Sequence, residues 1–196
     1  MNHTIVIFAS GSGSNAQRIV EYFADYTNIN IVSIFCNNPN AYVIERAAKM
    51  KIPCQLFSKD DFLSGRVLSD LESYNPSLIV LAGFLWLIPP QMVKAFPDRI
   101  INIHPALLPK YGGKGMYGMR VHESVIENCE TESGITIHLV NEKYDEGDVL
   151  FQAKCVVNKI DTPEDLAEKI HQLEYEHFPK VIEKLLIEKG QNTEKL

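Results

Sequence analysis

The residues best suited to chemistry in this 196-residue chain lie in Ile100-Ile101-Asn102-Ile103-His104-Pro105-Ala106-Leu107-Leu108-Pro109. Ile101 and Ile103 alternate with Asn102 and His104, so in a strand the amide and the imidazole face the same side. Pro105 ends that strand and leaves His104 at its carboxyl end, the rim where ligands sit in open α/β sheets. A histidine titrates near neutrality and exchanges protons readily, and an asparagine amide can donate to a developing oxyanion. A lone histidine is more often structural; an amide and an imidazole projecting together shift the reading toward a site. Such a histidine needs a partner to set its charge and orientation. The segment Glu142-Lys143-Tyr144-Asp145-Glu146-Gly147-Asp148 offers four carboxylates, with Asp145 the candidate, and spacing alone does not choose among them. His138 shares a strand face with Thr136, opposite Ile135 and Ile137, and reads as structural ahead of a supporting role. His122 can face the site from a following helix, with no role assigned.

A second constellation is Ser10-Gly11-Ser12-Gly13-Ser14-Asn15-Ala16, between a β-rich run and a helical pattern. Glycines let backbone N–H groups approach an anion, and a helix N-terminus adds its dipole. Gly11-x-Gly13-x-x-Ala16 fits the dinucleotide fingerprint, but the second strand ends Phe35-Cys36-Asn37-Asn38 without the carboxylate that would hold a ribose. No Lys-Ser/Thr follows the glycines, so a Walker loop fails too. A mononucleotide-like phosphate fits better than NAD; the competing reading is a tight turn that needs glycine for its geometry.

The elements that position these residues alternate. Thr4–Ala9, Ile29–Cys36, Leu78–Ala82 and Ile100–Ile103 are continuous apolar runs, the mark of strands buried on both faces. Asn15–Ala24, Tyr42–Met50 and Asp60–Tyr74 carry helical spacing between them. The first half is therefore an open, mostly parallel, doubly wound sheet with flanking helices. Lys110–Gly118 is a glycine-rich loop, and Met119–Asn128 is a helix. Ser133–Val140 and Val149–Val157 read as a strand pair, which predicts antiparallel strands in the C-terminal part. Asp161-Thr162-Pro163-Glu164 opens a final helix that runs to about Glu188 and ends at Gly190.

Length and composition exclude much else. With 45% hydrophobic and 22% charged residues, the chain is an ordinary globular sequence of one domain. The net charge of −6, without a run of basic residues, argues against nucleic acid as a partner. The longest apolar stretch, Leu78–Ile88, is too short to span a membrane, which takes about 20 residues. Cys36, Cys54, Cys129 and Cys155 are widely spaced and read as reduced thiols of a cytoplasmic protein. No His/Cys/Asp spacing suggests a metal.

The chain resembles the phosphoribosylglycinamide formyltransferase family, folate-dependent enzymes of purine biosynthesis. The likeness runs from about Ile5 to Ile187 and rests on Ser10-Gly11-x-Gly13-Ser14-Asn15, Leu81-Ala82-Gly83-Phe84, Asn102-Ile103-His104-Pro105-x-Leu107-Leu108-Pro109 and Asp145-x-Gly147. It implies the formyltransferase fold over residues 1–196, with 1–103 as the phosphate-binding half and 104–196 as the folate-site half. It implies Asn102, His104 and Asp145 as a catalytic trio in which Asp145 raises the pKa of His104 and keeps a cation available near pH 7. Gly13, Ser14 and Asn15 would hold the substrate phosphate, and Glu174 and His171 the ribose. Leu85, Trp86, Leu87 and Ile88 would line the pterin pocket, with backbone groups near Leu87 reading the pterin edge. Asn141, Tyr144 and Asp145, in the loop over that pterin, complete the folate set with Asn102, and Arg66 would meet the folate tail. The implied cosubstrate is 10-formyltetrahydrofolate, the acceptor is glycinamide ribonucleotide, and the protein is a monomer or homodimer.

Two alternatives follow from the same residues. A formyltetrahydrofolate hydrolase would use water in place of the amine, and such hydrolases carry an additional N-terminal domain for which a first strand at Thr4 leaves no room. A non-catalytic nucleotide-binding module would leave Asn102, His104 and Asp145 without a purpose. A Gly13→Val change is expected to weaken the phosphate-bearing substrate and spare folate.

Overall fold

The computed structural model describes residues 2–193. Its sheet is built from β1 (His3–Ala9), β2 (Ile29–Cys36), β3 (Cys54–Leu56), β4 (Leu78–Leu81), β5 (Ile100–His104), β6 (Glu132–Leu139) and β7 (Val149–Val156), in the order β3-β2-β1-β4-β5-β6-β7. The pairs from β3 through β5 are parallel; β5–β6 and β6–β7 are antiparallel. Helices α1 (Ser14–Tyr22), α2 (Val43–Met50), α3 (Lys59–Ser64), α4 (Arg66–Tyr74), α5 (Pro90–Ala95), α6 (Met119–Glu127) and α7 (Pro163–Thr193) complete the order. The open, mostly parallel doubly wound sheet expected from the apolar runs is the architecture observed.

β1 shows why those runs are continuous. Ile5 to Phe8 are all fully buried, and neighbours belong to opposite cores. Ile5 and Ile7 pack with Ile19 of α1 and Ile182 of α7, while Val6 and Phe8 pack with Phe62 of α3 and Leu71 of α4. The second core is aromatic: Phe8 stacks on Phe35 with centroids 5.0 Å apart and meets Phe84 edge-on at 5.2 Å. Such pairs contribute about 0.5–1.5 kcal/mol each beyond their burial. Across the sheet, the Tyr22 and Tyr26 hydroxyls both donate to Glu183, at 2.6 and 2.8 Å, and tie α1 and the turn after it to α7.

Two expectations need correction. The helix read over Asp60–Tyr74 is two helices, because Gly65 adopts φ 93° and turns the chain between α3 and α4. α3 starts with a capping box in which Ser58 and Asp61 bond each other's backbone N–H. The final helix passes Gly190 and reaches Thr193, since a glycine in helical geometry costs only about 1 kcal/mol and stops nothing by itself. β3 and α5, of three and six residues, carry too little periodicity to be read in advance.

Gly134 marks the tightest contact between β6 and β7: a Cβ there would overlap the Ala153 carbonyl oxygen. Gly134→Ala is expected to force the two strands apart and lower the thermal midpoint by at least about 5 °C, consistent with a cost of a few kcal/mol for overpacking. Calorimetry against the unmodified chain measures it.

Candidate active site

The sheet order reverses between β1 and β4, and there the carboxyl-end loops diverge to leave a crevice. Backbone bonds fix its floor: Ala82 N–H donates to Phe8 O at 2.8 Å and Ser10 N–H to Gly83 O at 3.0 Å, while Leu85 N–H reaches Ser10 Oγ at 3.1 Å. A cavity of about 600 Å³ opens above, walled by the loops after β1, β4 and β5 and by α7, within the usual range for small-molecule sites.

Gly13 takes φ 75° and delivers the chain into α1, whose first-turn N–H groups have no intrahelical partners, and Gly13, Ser14 and Asn15 line the crevice. A Cβ at Gly13 would lie 2.6 Å from Val43 Cβ. Gly13→Val would therefore displace α2 as well as the loop, and the local effect expected from sequence gives way to a general one. Asn15 Nδ2 donates to Glu174 Oε2 at 2.8 Å across the crevice. Glu174 is only 6% exposed, and burial pushes its carboxyl up to about 7 against the opposing Asn15 bond. His171, one turn earlier on α7, stacks on Tyr175 and is held below its ordinary pKa by burial.

At the centre, β5 and β6 place Asn102 opposite His138 and His104 opposite Thr136. The Asp145 carboxylate lies among them. His104 Nδ1 is 3.5 Å from Oδ2, His138 Nε2 is 3.5 Å from Oδ1, and Asn102 Nδ2 donates to Oδ1 at 3.4 Å. Gly113 N–H donates to Oδ2 at 2.9 Å, and His104 Nε2 donates to Tyr111 O at 2.7 Å, so the glycine-rich loop is latched onto both ends of the His104–Asp145 pair. Burial pushes the Asp145 carboxyl up, but the neighbouring His138 and His104 rings and the Gly113 N–H together hold it below its ordinary value. His104 departs from expectation. Burial, aided by His138, outweighs the Asp145 carboxylate and the Tyr111 carbonyl and lowers its pKa, so the imidazole is neutral at pH 7 in the free protein. Asn102 Nδ2 also faces His138 Nε2 at 3.2 Å, so its donors point at protein groups.

The apolar end is formed by Leu85, Trp86, Leu87, Ile88 and Val140. Trp86 packs edge-on to Phe57 at 6.0 Å and against Phe62 at 5.8 Å. Leu87 N–H donates to Tyr144 Oη at 3.2 Å, so the loop after β6 covers the backbone group expected to read a ligand edge. Gly147 lets that loop approach β6, because a Cβ there would overlap the Leu139 carbonyl oxygen.

Of the residues singled out from sequence, Gly13, Ser14, Asn15, Leu85, Trp86, Leu87, Ile88, Asn102, His104, Tyr144, Asp145, His171 and Glu174 line this one cavity. Arg66 and Asn141 do not. Arg66 is exposed at the start of α4 and pairs with Asp61 at 3.0 Å, and Asn141 Oδ1 accepts the Lys143 N–H at 2.9 Å within its own turn. His122 lines it, as the sequence allowed, and so does His138, which the sequence reading had favoured as structural. The signal for His138 was its register: β6 pairs antiparallel with β5, which sets His138 beside Asn102. Among the described residues, no group of three or more His, Cys, Asp or Glu side chains is arranged to hold a metal ion. None of the described helices is long and apolar enough to cross a membrane.

The sheet order and the crevice at its reversal define a doubly wound α/β protein with a cavity at the strand ends. The chain belongs to the formyl transferase family, whose sequence profile matches residues 3–182. It is 42% identical over 185 residues to the chloroplastic phosphoribosylglycinamide formyltransferase of Arabidopsis thaliana, covering 91% of this chain and 63% of that one. To the phosphoribosylglycinamide formyltransferase of Escherichia coli it is 32% identical, covering 91% and 84%. The chain thus spans less than two thirds of the plant relative's length. Among solved structures, glycinamide ribonucleotide transformylase 1 from Geobacillus kaustophilus superposes with a TM-score of 0.85 at 34% identity, covering 95% of this chain and all of that one.

Glu174 links the site to stability. Its carboxyl titrates at about 7 when folded and at an ordinary value of 4.5 when unfolded, so the stability it contributes is complete below 4.5 and lost as pH rises through about 7. Glu174→Gln keeps an acceptor for Asn15 and removes that loss. At pH 8 the variant is expected to be more stable by roughly 3 kcal/mol, at about 1.4 kcal/mol per pKa unit, with the difference vanishing near pH 4. Thermal melting of both proteins across that range measures it.

Proposed function

We propose that this protein transfers the formyl group of 10-formyltetrahydrofolate to the amine of glycinamide ribonucleotide, giving formylglycinamide ribonucleotide and tetrahydrofolate in purine synthesis. The observation that carries the reading is the Asn102–His104–Asp145 cluster in the same cavity as the Gly13–Asn15 helix start. An anion site and a proton-handling site in one crevice suit a substrate with a phosphate at one end and a nucleophile at the other. The names of the relatives agree with it.

In this reading the phosphate sits on the N–H groups of Gly13, Ser14 and Asn15, where the helix dipole favours negative charge without any side-chain cation. Glu174 and His171 take the ribose hydroxyls. Leu85, Trp86, Leu87 and Ile88 present an apolar wall to the pterin, with Tyr144 and the Asn141–Asp145 loop above it. Arg66, outside the cavity, is left to the distal folate tail. In this reading one domain carries both ends of the crevice, with β5 running across the 103/104 boundary between its two halves.

The amine nitrogen attacks the formyl carbon and a tetrahedral oxyanion forms; the C–N bond to folate then breaks, and the amine proton passes to the departing folate nitrogen. Release of the Tyr111 carbonyl frees His104 Nε2 for the substrate. Asp145 then holds the Nδ1 proton, leaving Nε2 a neutral acceptor for the amine proton. The imidazolium so formed is stabilised by Asp145 and, with the Asn102 amide turned from Asp145, donates to the oxyanion.

Incubation with glycinamide ribonucleotide and 10-formyltetrahydrofolate tests the assignment. Deformylation that depends on the amine is expected. Equal turnover without it would mark a hydrolase, and no turnover a binding module. His104→Ala and Asp145→Asn are each expected to lower kcat by about 10²–10⁴ with the fold intact by circular dichroism; near-normal turnover in either would remove that residue from the trio.

A further inference from the structure

His122 is a buried side chain that the proposed reaction leaves without a task. It stands on the inner face of α6 beside the buried Val121 and Val125, is 4% exposed, and lines the cavity. Its Nδ1 is sealed from solvent and has no hydrogen-bond partner. Burial first, then the neighbouring His171 and His104 rings, hold its pKa down to about 4, so the ring is neutral at pH 7. A neutral imidazole carries one N–H. A buried N–H without an acceptor is rarer and costlier than a buried lone pair without a donor. The proton therefore belongs on Nε2.

The two rings that act on His122 locate it. His104 stands at the end of β5, where the formyl transfer is placed, and His171 stands on α7 beside Glu174 and Asn15. His122 lines the same cavity as both of those rings, which in the proposed reading flank the stretch between the reacting amine and the ribose. In the acceptor substrate that stretch is the glycyl amide, whose carbonyl oxygen is a strong acceptor in need of a donor once water is excluded.

We propose that His122 is a contact residue for the acceptor, donating Nε2–H to the carbonyl oxygen of the glycyl amide and so fixing the direction of the terminal amine toward His104. The proposal rests on the acceptor assigned under the proposed function. Such a contact explains why a polar ring is kept in an otherwise apolar face of α6 with no protein partner: its partner arrives with the substrate. A site with a buried donor also rejects ligands that lack the matching acceptor, because the donor is then left unpaired.

His122→Phe keeps the ring volume and removes the donor, and His122→Gln keeps a donor. Thermal melting controls for folding, and His122→Phe is expected to melt no lower than the unmodified protein because an orphaned buried nitrogen is removed. Calorimetric titration with glycinamide ribonucleotide should show affinity about tenfold weaker for His122→Phe, with a parallel rise in KM for that substrate and a largely restored value for His122→Gln. Ribose 5-phosphate, which lacks the amide, should bind both proteins alike, and so should tetrahydrofolate. Glycinamide ribonucleotide bound within twofold by His122→Phe, or ribose 5-phosphate weakened equally, would overturn the contact. If the unmodified protein neither binds nor formylates glycinamide ribonucleotide, the proposed function fails and this inference with it; if it does both and His122→Phe is unchanged, the inference alone fails.

Discussion

The Asp145 carboxylate is the interaction on which the rest of the site depends. It gathers the end of β5 through Asn102 and His104, the neighbouring β6 through His138, and the glycine-rich loop through the Gly113 N–H. A buried anion is costly unless its lone pairs are met, and here the Asn102 amide and the Gly113 N–H donate to it while the His104 and His138 rings lie 3.5 Å away. The backbone follows from that requirement. Asp145 itself takes φ 55°, and Gly147 lets its loop lie against the Leu139 carbonyl, so the carboxylate reaches inward from a polar turn. Burial then decides the protonation of the cluster: it overrides the carboxylate at His104 and leaves a neutral imidazole beside an ionised acid.

The anion-binding end follows a different rule. The net charge is −6, and the wall around Gly13–Asn15 carries the carboxylate of Glu174. In the proposed reading, attraction for a phosphate comes from the N–H groups at the start of α1, a local field that the overall charge does not cancel. A carboxyl pushed up to about 7 fits beside such a site, since its neutral form adds no repulsion.

Much of this was legible in the sequence, and what was not has identifiable reasons. Continuous apolar strands announced a sheet buried on both faces, and the alternation in Ile101–His104 placed Asn102 and His104 together, because both facts depend on local periodicity. The break at Gly65 escaped because a helical pattern continues through a glycine whether or not φ turns positive. His138 read as structural because its sequence neighbours are apolar, and His122 could be given no role; their place at the site follows from the β5–β6 register and from the packing of α6 against α7, which are properties of the whole fold. Among four carboxylates spacing could not choose, and the resemblance did. The lowered pKa of His104 was beyond reach of any pairing argument, because it is set by how much water the surrounding loops exclude.

The hydrogen bond from Leu87 N–H to Tyr144 has a consequence for selectivity. The crevice does not wait with a bare donor; it satisfies itself, and an incoming ring must exchange one bond for another. The net gain from a matching ligand is then small, while a ligand without an acceptor at that edge forfeits the whole bond. A self-closed edge of this kind makes the pocket a weak attractor and a strict judge.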